Sequence, residues 1–287
     1  MKKLLSIILI ALLTLAGCGK KNIKESGKIT IVATLFPQYD FSRVIGGDKV
    51  DVTLLLPAGS ESHNYDPSPS DMALISKSDI FVYTGDEMEP WAGDIASAVG
   101  TSVKILNVSD NATLSSYEEH HENENSSHSH TLDPHIWLDF DNAKIMCENI
   151  YNALCSVSPE NKDYFTENFE SYIDKLTVLD KSYSDIVSNS EKTIVFGGKF
   201  ALSYLVKRYN ISYLSAYESC SANAEPSIAD IAYLSDFVKT NNITVVYCEE
   251  YTEPKVALEI ASGNNAEVLP IHSCHNLNRQ DLEKGTT

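Results

Sequence analysis

From Lys28 onward, short apolar runs rich in β-branched residues alternate with amphipathic stretches, and the whole alternation occurs twice. In the first half Ile29 to Leu35, Val50 to Leu56, Ile80 to Tyr83 and Val103 to Leu106 read as strands, with helices such as Asp71 to Ser76 and Trp91 to Val99 between them. In the second half Thr193 to Phe196, Ser212 to Leu214, Thr244 to Cys248 and Glu267 to Leu269 read as strands. Helices near Phe200 to Tyr209, Ser227 to Asn241 and Pro254 to Ser262 separate them. Strands joined through a helix pair in parallel, because the crossover returns the chain to the same end of the sheet. The expected fold is α/β, with two lobes, each a mostly parallel sheet flanked by helices.

The link between the halves constrains their motion. Phe165, Phe169, Tyr172, Leu176, Leu179, Tyr183 and Ile186 recur at alternating steps of four and three, and neither Gly nor Pro follows Pro159 before Val187. One long rigid backbone helix fits. Ser158 is expected to cap it and Pro159 to open its first turn. About 28 residues rise about 42 Å, enough to cross both lobes. Domain hinges use short irregular crossings, so this link predicts limited lobe movement. A coiled-coil partner helix is the competing use of the stripe, but the lobes offer a nearer apolar surface.

At the N-terminus Lys2-Lys3 precede an apolar run from Leu4 to Leu15, then Ala16-Gly17-Cys18. Twelve residues rise about 18 Å as a helix, short of the roughly 30 Å hydrocarbon core. A basic start, an apolar middle and small residues before a cut make a secretory leader. Cysteine at the cut resembles the lipobox of bacterial lipoproteins, in which Cys18 carries lipid and becomes the new N-terminus; an ordinary leader is the alternative. The expected organisation is a signal peptide over 1–17, a polar tether over 18–27, a first lobe over 28–157, the connecting helix over 158–190 and a second lobe over 191–287. The chain is then extracytoplasmic and anchored to the cell membrane by lipid. Of the other cysteines, Cys147 and Cys155 lie eight residues apart on one helix, about 12 Å and too far to bridge. Cys220 and Cys274 each follow a strand and could form a disulfide in an exported protein; small buried apolar residues are the alternative.

Charge and histidine placement point to the ligand. Lys and Arg number 22 against 40 Asp and Glu, a formal charge of −18. Such a field repels phosphate backbones and draws cations, so no nucleic acid is expected as partner. Residues 115–131 read SSYEEHHENENSSHSHT, without apolar periodicity, and His120, His121, His128 and His130 there suit weak, many-state binding of zinc-like ions. The other four histidines stand in ordered surroundings. His63 follows the second strand, His135 lies in Asp133-Pro134-His135-Ile136-Trp137-Leu138-Asp139, and His272 and His275 follow the last strand. Ligands of open parallel sheets sit beyond the carboxyl ends of strands. Two histidines come from each lobe, so a cleft between lobes could gather them on one cation.

These residues carry a resemblance. Thr34-Leu35-Phe36-Pro37, His63 with Tyr65-Asp66-Pro67-Ser68-Pro69-Ser70-Asp71, the His135 motif, the long helix, and Tyr204-Leu205 through Arg208-Tyr209 are similar to the solute-binding lipoproteins of zinc and manganese ABC importers. The resemblance runs from about Lys28 to the end. It implies two α/β lobes, a rigid backbone helix and one metal ion between the lobes. It also implies delivery of that ion to a membrane permease driven by a cytoplasmic ATPase, by a monomeric binding protein. His63 and His135 match the first two family ligands, and His272 falls where the family has a second-lobe carboxylate. Lys199 stands where the family has a third histidine or a glutamate, and a protonated ammonium cannot ligate. His275, Glu61, Glu218, Cys220 or water could supply the missing ligand.

Three imidazoles favour Zn2+, whereas Mn2+ sites carry more carboxylate oxygen. The expected function is capture of Zn2+ by the extracytoplasmic receptor of an importer, with Mn2+ as the alternative cargo. A surface adhesin or metal store is a further alternative, and a zinc-dependent hydrolase the least supported. The chain lacks HExxH and Gly-x-Ser-x-Gly, so no enzyme activity is expected.

Overall fold

A computed structural model describes residues 27–60, 62, 65–116, 132–188, 190, 193–217 and 226–286. The first lobe is a four-stranded parallel sheet of β1 (Ile29–Ala33), β2 (Val50–Leu54), β3 (Ile80–Tyr83) and β4 (Lys104–Asn107), in the order β2-β1-β3-β4. The second repeats that order with β5 (Ile194–Phe196), β6 (Tyr213–Ser215), β7 (Val245–Glu249) and β8 (Glu267–Ile271), as β6-β5-β7-β8. Both lobes are therefore the parallel α/β sheets expected from the alternation, with strand ends moved by one or two residues.

The central strands β1 and β3 are buried at every residue, as parallel strands covered on both faces must be. Helices α1 (Phe36–Gly46) and α4 (Phe140–Val157) cover one face, where Ile31, Phe41, Ile45, Met146 and Ile150 pack together. Helices α2 (Pro69–Ile75) and α3 (Ala92–Val99) cover the other, around Phe81, Ile75 and Ile95. Ser68 caps α2 with a reciprocal bond from Asp71, so the chain after the His63 loop starts its helix at a defined residue. In the second lobe Val195, Val246, Leu234, Val238 and Ile260 form one layer, and Phe196, Phe200, Leu202 and Val206 another.

The connecting helix α5 spans Lys162–Val187. It starts later than the pattern suggests. Pro159–Asn161 form a 3-10 turn, and the Ser158 hydroxyl pairs with Glu160 and Asn161 instead of capping α5. Its first half packs Phe165, Phe169, Tyr172 and Leu176 onto the first lobe. Its second half leaves Val178, Leu179 and Ile186 exposed and meets the second lobe through Asp180 and Tyr183.

Two further seams hold the lobes together. Helix α6 (Ser203–Arg208) grips the first lobe's 133–141 segment: the Ser203 hydroxyl donates to Asp133, Tyr204 Oη donates to the Asp133 carbonyl at 3.0 Å, and Arg208 reaches Asp139 and Asp141. After β8 the chain crosses back onto the first lobe. Phe36 N donates to His275 O at 3.0 Å and Gly59 N to Leu277 O at 2.9 Å. Fully buried Asn276 donates to the carbonyls of Pro57 and Ser60 at 2.8 and 3.0 Å. Helices α7 (Ile228–Thr240) and α8 (Lys255–Ala261) pack into the second lobe's core, and α9 (Arg279–Lys284) follows the crossing. No helix among the described residues is long and apolar enough to cross a membrane.

Candidate metal centre

In both sheets the strand order reverses direction beside the first strand, and the crevice there lies beyond the carboxyl ends of the strands. The segments leaving β2, β5, β7 and β8 and the 132–135 segment all reach this crevice. They enclose a cavity of about 100 Å3 lined by Ser60, Ser62 and His135 of the first lobe and by Lys199, Glu249, Glu250, Tyr251, Ser273 and His275 of the second. Pockets for organic ligands run about 300–1,000 Å3, so this one suits an ion with its immediate ligands.

The second lobe's wall depends on a close approach. Gly197, at the end of β5, lies against α8, and a Cβ there would stand 2.4 Å from Ala257 Cα. Only glycine lets the chain pass, and Lys199 N then donates to Glu249 Oε2 at 2.9 Å. Lys199 itself lines the cavity, at the position where the resemblance has an imidazole or glutamate.

His135 is 2% exposed. Its Nδ1 lies 2.7 Å from Asp133 Oδ1, which also accepts from the His135 backbone N–H at 2.9 Å. Burial alone would raise the Asp133 carboxyl, but the His135 contacts and the Ser203 hydroxyl hold it below its usual value. A carboxylate on Nδ1 directs Nε2 toward the ion in metal sites. The neighbouring Trp137 packs edge-on against the ring at 5.4 Å between centroids, and its Nε1 donates to Ser273 O at 2.7 Å. The His135 ring is thereby fixed from both lobes.

On the facing wall His275 Nδ1 lies 2.5 Å from Ser273 Oγ and 3.2 Å from Glu250 Oε1. The Ser273 hydroxyl donates to Glu250 Oε1 at 2.6 Å. Burial opposes ionisation of Glu250, yet these contacts hold its carboxyl at about 2. Glu250 is then a permanent anion at the cavity wall, and a cation is the ligand such a wall attracts. His272 backs the lining rather than forming part of it: Cys274 N donates to its Nδ1 at 2.9 Å, that nitrogen lies 3.4 Å from Glu250 Oε1, and its Nε2 pairs with Tyr251 Oη at 2.8 Å.

His63, Glu61, Glu218, the accessory histidines His120, His121, His128 and His130, and Cys18 lie outside the described residues. Among those described, no three His, Cys, Asp or Glu side chains converge as a ready metal cluster. His135 and His275 share the cavity, and a complete ligand set needs a further group. Cys274 is a free thiol, and Cys220 lies outside the described residues. Sequence reading overlooked Glu250 and the orienting role of Asp133. The acidic pair Glu249-Glu250 at the end of a strand was the available signal for the first.

Residues 31–285 match the family described as zinc-uptake complex component A, periplasmic. The chain belongs to this zinc-uptake family. It is 34% identical to the high-affinity zinc uptake system protein ZnuA of Bacillus subtilis, over 98% of this chain and 91% of that one. It is 31% identical to the zinc-binding lipoprotein AdcA of Streptococcus pneumoniae, covering 99% of this chain but 58% of AdcA. The chain thus spans little more than half of AdcA. Among solved structures, the metal-dependent lipoprotein YcdH of Bacillus subtilis superposes with a TM-score of 0.75 at 32% identity, over 90% of this chain and 92% of that one. Zn(II)-bound AdcA gives 0.75 at 31% identity, over 91% and 54%. Members of the zinc-uptake family are solute-binding receptors that work outside the cytoplasm.

Proposed function

We propose that this protein captures Zn2+ in the cleft between its lobes and delivers it to the permease of an ABC importer, driven by a cytoplasmic ATPase. The observation that carries the reading is the buried His135–Asp133 pair, which faces an acidic, ion-sized cavity that the second lobe closes with His275. The relatives' names supply the metal: zinc uptake for ZnuA and zinc binding for AdcA. The ligands are His63 and His135 from the first lobe, with His272 or His275 from the second. The protein acts as a monomer tethered to the membrane by lipid on Cys18, and it performs no chemistry on its cargo. The histidine-rich segment 115–131 serves as an accessory collector of ions.

The mechanism follows from fixed geometry. Asp133 keeps the proton of His135 on Nδ1, which makes Nε2 the nitrogen that would bind the ion. The seams at α6 and at Asn276 keep the two walls at one spacing. Selectivity then rests on imidazole donors and a small cavity rather than on closure over a large solute.

Zinc titration of the His63→Ala and His135→Ala variants tests the reading. Each should weaken binding by at least about tenfold, or 1.4 kcal/mol. If neither does, the cleft is not the zinc site.

A further inference from the structure

We infer that the amino edge of the first lobe's sheet is a contact surface for anionic lipid headgroups. It rests on the membrane that holds the protein's anchor and leaves the cleft, at the opposite edge, facing away from that membrane. The inference goes beyond the zinc-receptor reading and depends on lipid attachment at Cys18.

The cations of the first lobe are Lys28, Arg43, Lys49, Lys77, Lys104 and Lys144. Four of them stand where the chain enters a strand, one for each strand. Lys28 precedes Ile29 of β1, Lys49 precedes Val50 of β2, Lys77 lies three residues before Ile80 of β3, and Lys104 opens β4. The register sets these entries side by side, since Ile29 pairs with Val50, Ile31 with Ile80, and Ile80 with Lys104. Neighbouring strands lie about 4.8 Å apart and each residue rises about 3.3 Å, so the entries fall within about 15 Å across the sheet and about 10 Å along it. Lys28, Lys77 and Lys104 are exposed. Lys49 lies 3.2 Å from Asp48 and 5.2 Å from the ring centre of Tyr164, which brings the start of α5 to the same edge.

Carboxylates share this edge. Asp79 accepts from the backbone N and the hydroxyl of Thr30 at 2.8 Å each, Asp51 is exposed, and the start of α5 adds Lys162 beside Glu160 and Asp163. The preceding tether contributes Lys20, Lys21 and Lys24 against Glu25. Lysines are thus in local excess here, in a chain whose formal charge is −18. The carboxyl edge of the same sheet has the opposite character, with Asp66, Asp86, Glu87 and Asp110 all exposed. An anionic surface attracts the first edge and repels the second, so the lobe turns its cleft toward the solvent from which ions arrive.

Solubility alone does not explain the placement. The second lobe repeats the strand order, yet β6, β7 and β8 are entered from Asn210, Asn242 and Asn265, uncharged residues at φ 50, 51 and 52. Lys192, before β5, lies outside the described residues. Two lobes of one topology therefore differ in charge at this edge, and the basic one belongs to the lobe that the tether enters. The ten residues from Cys18 to Gly27 span at most about 35 Å, which keeps this edge close to the anchoring bilayer. Attraction of this kind is screened within about 8 Å at physiological salt, so the contact is reversible and still permits delivery to the permease.

The test uses the full lipidated chain in vesicles of phosphatidylcholine alone and of phosphatidylcholine mixed with phosphatidylglycerol. Acetylation of each lysine by a water-soluble reagent is followed by peptide mass spectrometry, which also establishes the lipid on Cys18. Lys28, Lys77 and Lys104 should react at least roughly threefold more slowly in the anionic vesicles, and Lys239 and Lys255 of the second lobe should not change. High salt should abolish the protection. The Lys77→Gln/Lys104→Gln variant should return Lys28 to its rate in neutral vesicles, with zinc affinity and melting temperature unchanged. Equal rates in the two vesicles, protection spread over both lobes, or a Cys18 without lipid would overturn the inference. So would equal protection by soluble polyphosphate added to neutral vesicles, which would make the edge a site for anionic polymers. None of these results touches zinc capture, which the His63 and His135 variants test separately.

Discussion

Arg208 ties the second lobe to both the connecting helix and the first lobe, and its replacement should be measurable at two levels. Its Nε and one terminal nitrogen donate to both oxygens of Asp180 on the connecting helix, at 2.9 and 2.6 Å. The other terminal nitrogen reaches Asp139 at 3.0 Å and Asp141 at 2.9 Å in the first lobe. Arg208, Asp180 and Asp139 are each less than a fifth exposed, whereas Asp141 is 68% exposed and contributes little. Hydrogen bonds to charged groups contribute about 1.5–3 kcal/mol each in favourable settings. The paired bonds to Asp180 and the single bond to Asp139 together suggest a loss of about 3 kcal/mol for Arg208→Ala. Lysine keeps the charge but loses the fork, so Arg208→Lys should cost about 1–2 kcal/mol. For a chain of this size each kcal/mol moves the melting temperature by roughly 3 °C, so Arg208→Ala should melt about 9 °C lower. Zinc affinity should also fall, by roughly three- to tenfold, because α6 then holds the segment that carries His135 only through Ser203 and Tyr204. Circular dichroism melts of the metal-free protein and zinc titrations read the two effects. A melting temperature within 2 °C of the wild type, or no coupling in a double-mutant cycle with Asp180→Asn, would refute the reasoning.

Two further perturbations address the other seam and the first lobe's interior. Asn276→Ala removes both bonds to the loop before His63 and leaves the Pro57 and Ser60 carbonyls without that donor, so urea unfolding should show a loss of about 2–4 kcal/mol; a change below about 0.5 kcal/mol would contradict the pinning role. Glu89 is 3% exposed, and burial pushes its carboxyl up to about 7 despite bonds from Thr34, Thr84 and Gly85. A raised folded-state value means that its contribution to stability is fully present below the unfolded value of 4.5 and is lost as pH rises through about 7. Urea midpoints from pH 5 to 8 should therefore decline for this group, and Glu89→Gln should flatten the decline; parallel curves for the two proteins would sink the assignment.

The architecture was legible where local pattern decides structure. Buried strands such as β1 and β3 are continuous apolar runs, and strand–helix alternation leaves little choice but parallel sheets. The connecting helix was legible from its period but not from its ends. Ser158 has neighbours, Glu160 and Asn161, that compete for its hydroxyl, and the first turn becomes 3-10. Nor does a periodic stripe say what covers it, and Val178 and Ile186 remain exposed because the second lobe reaches α5 through Arg208 and Tyr209. The cleft was legible as a place, since strand ends define it, and His135 was found there. Its orienting groups were not. Ser203 acts on Asp133 across 70 positions and Asn276 on Pro57 across 219, and such partners leave no local periodicity. His272 and His275 look alike in sequence and differ only in what surrounds each nitrogen.

The most direct measurement is an anomalous difference map collected at the zinc absorption edge from crystals of the protein loaded with one equivalent of zinc. It should contain a single strong peak in the cavity between the lobes, about 2.0–2.1 Å from Nε2 of His135 and from an imidazole of the second lobe. A peak elsewhere, or zinc held by one lobe alone, would contradict the account.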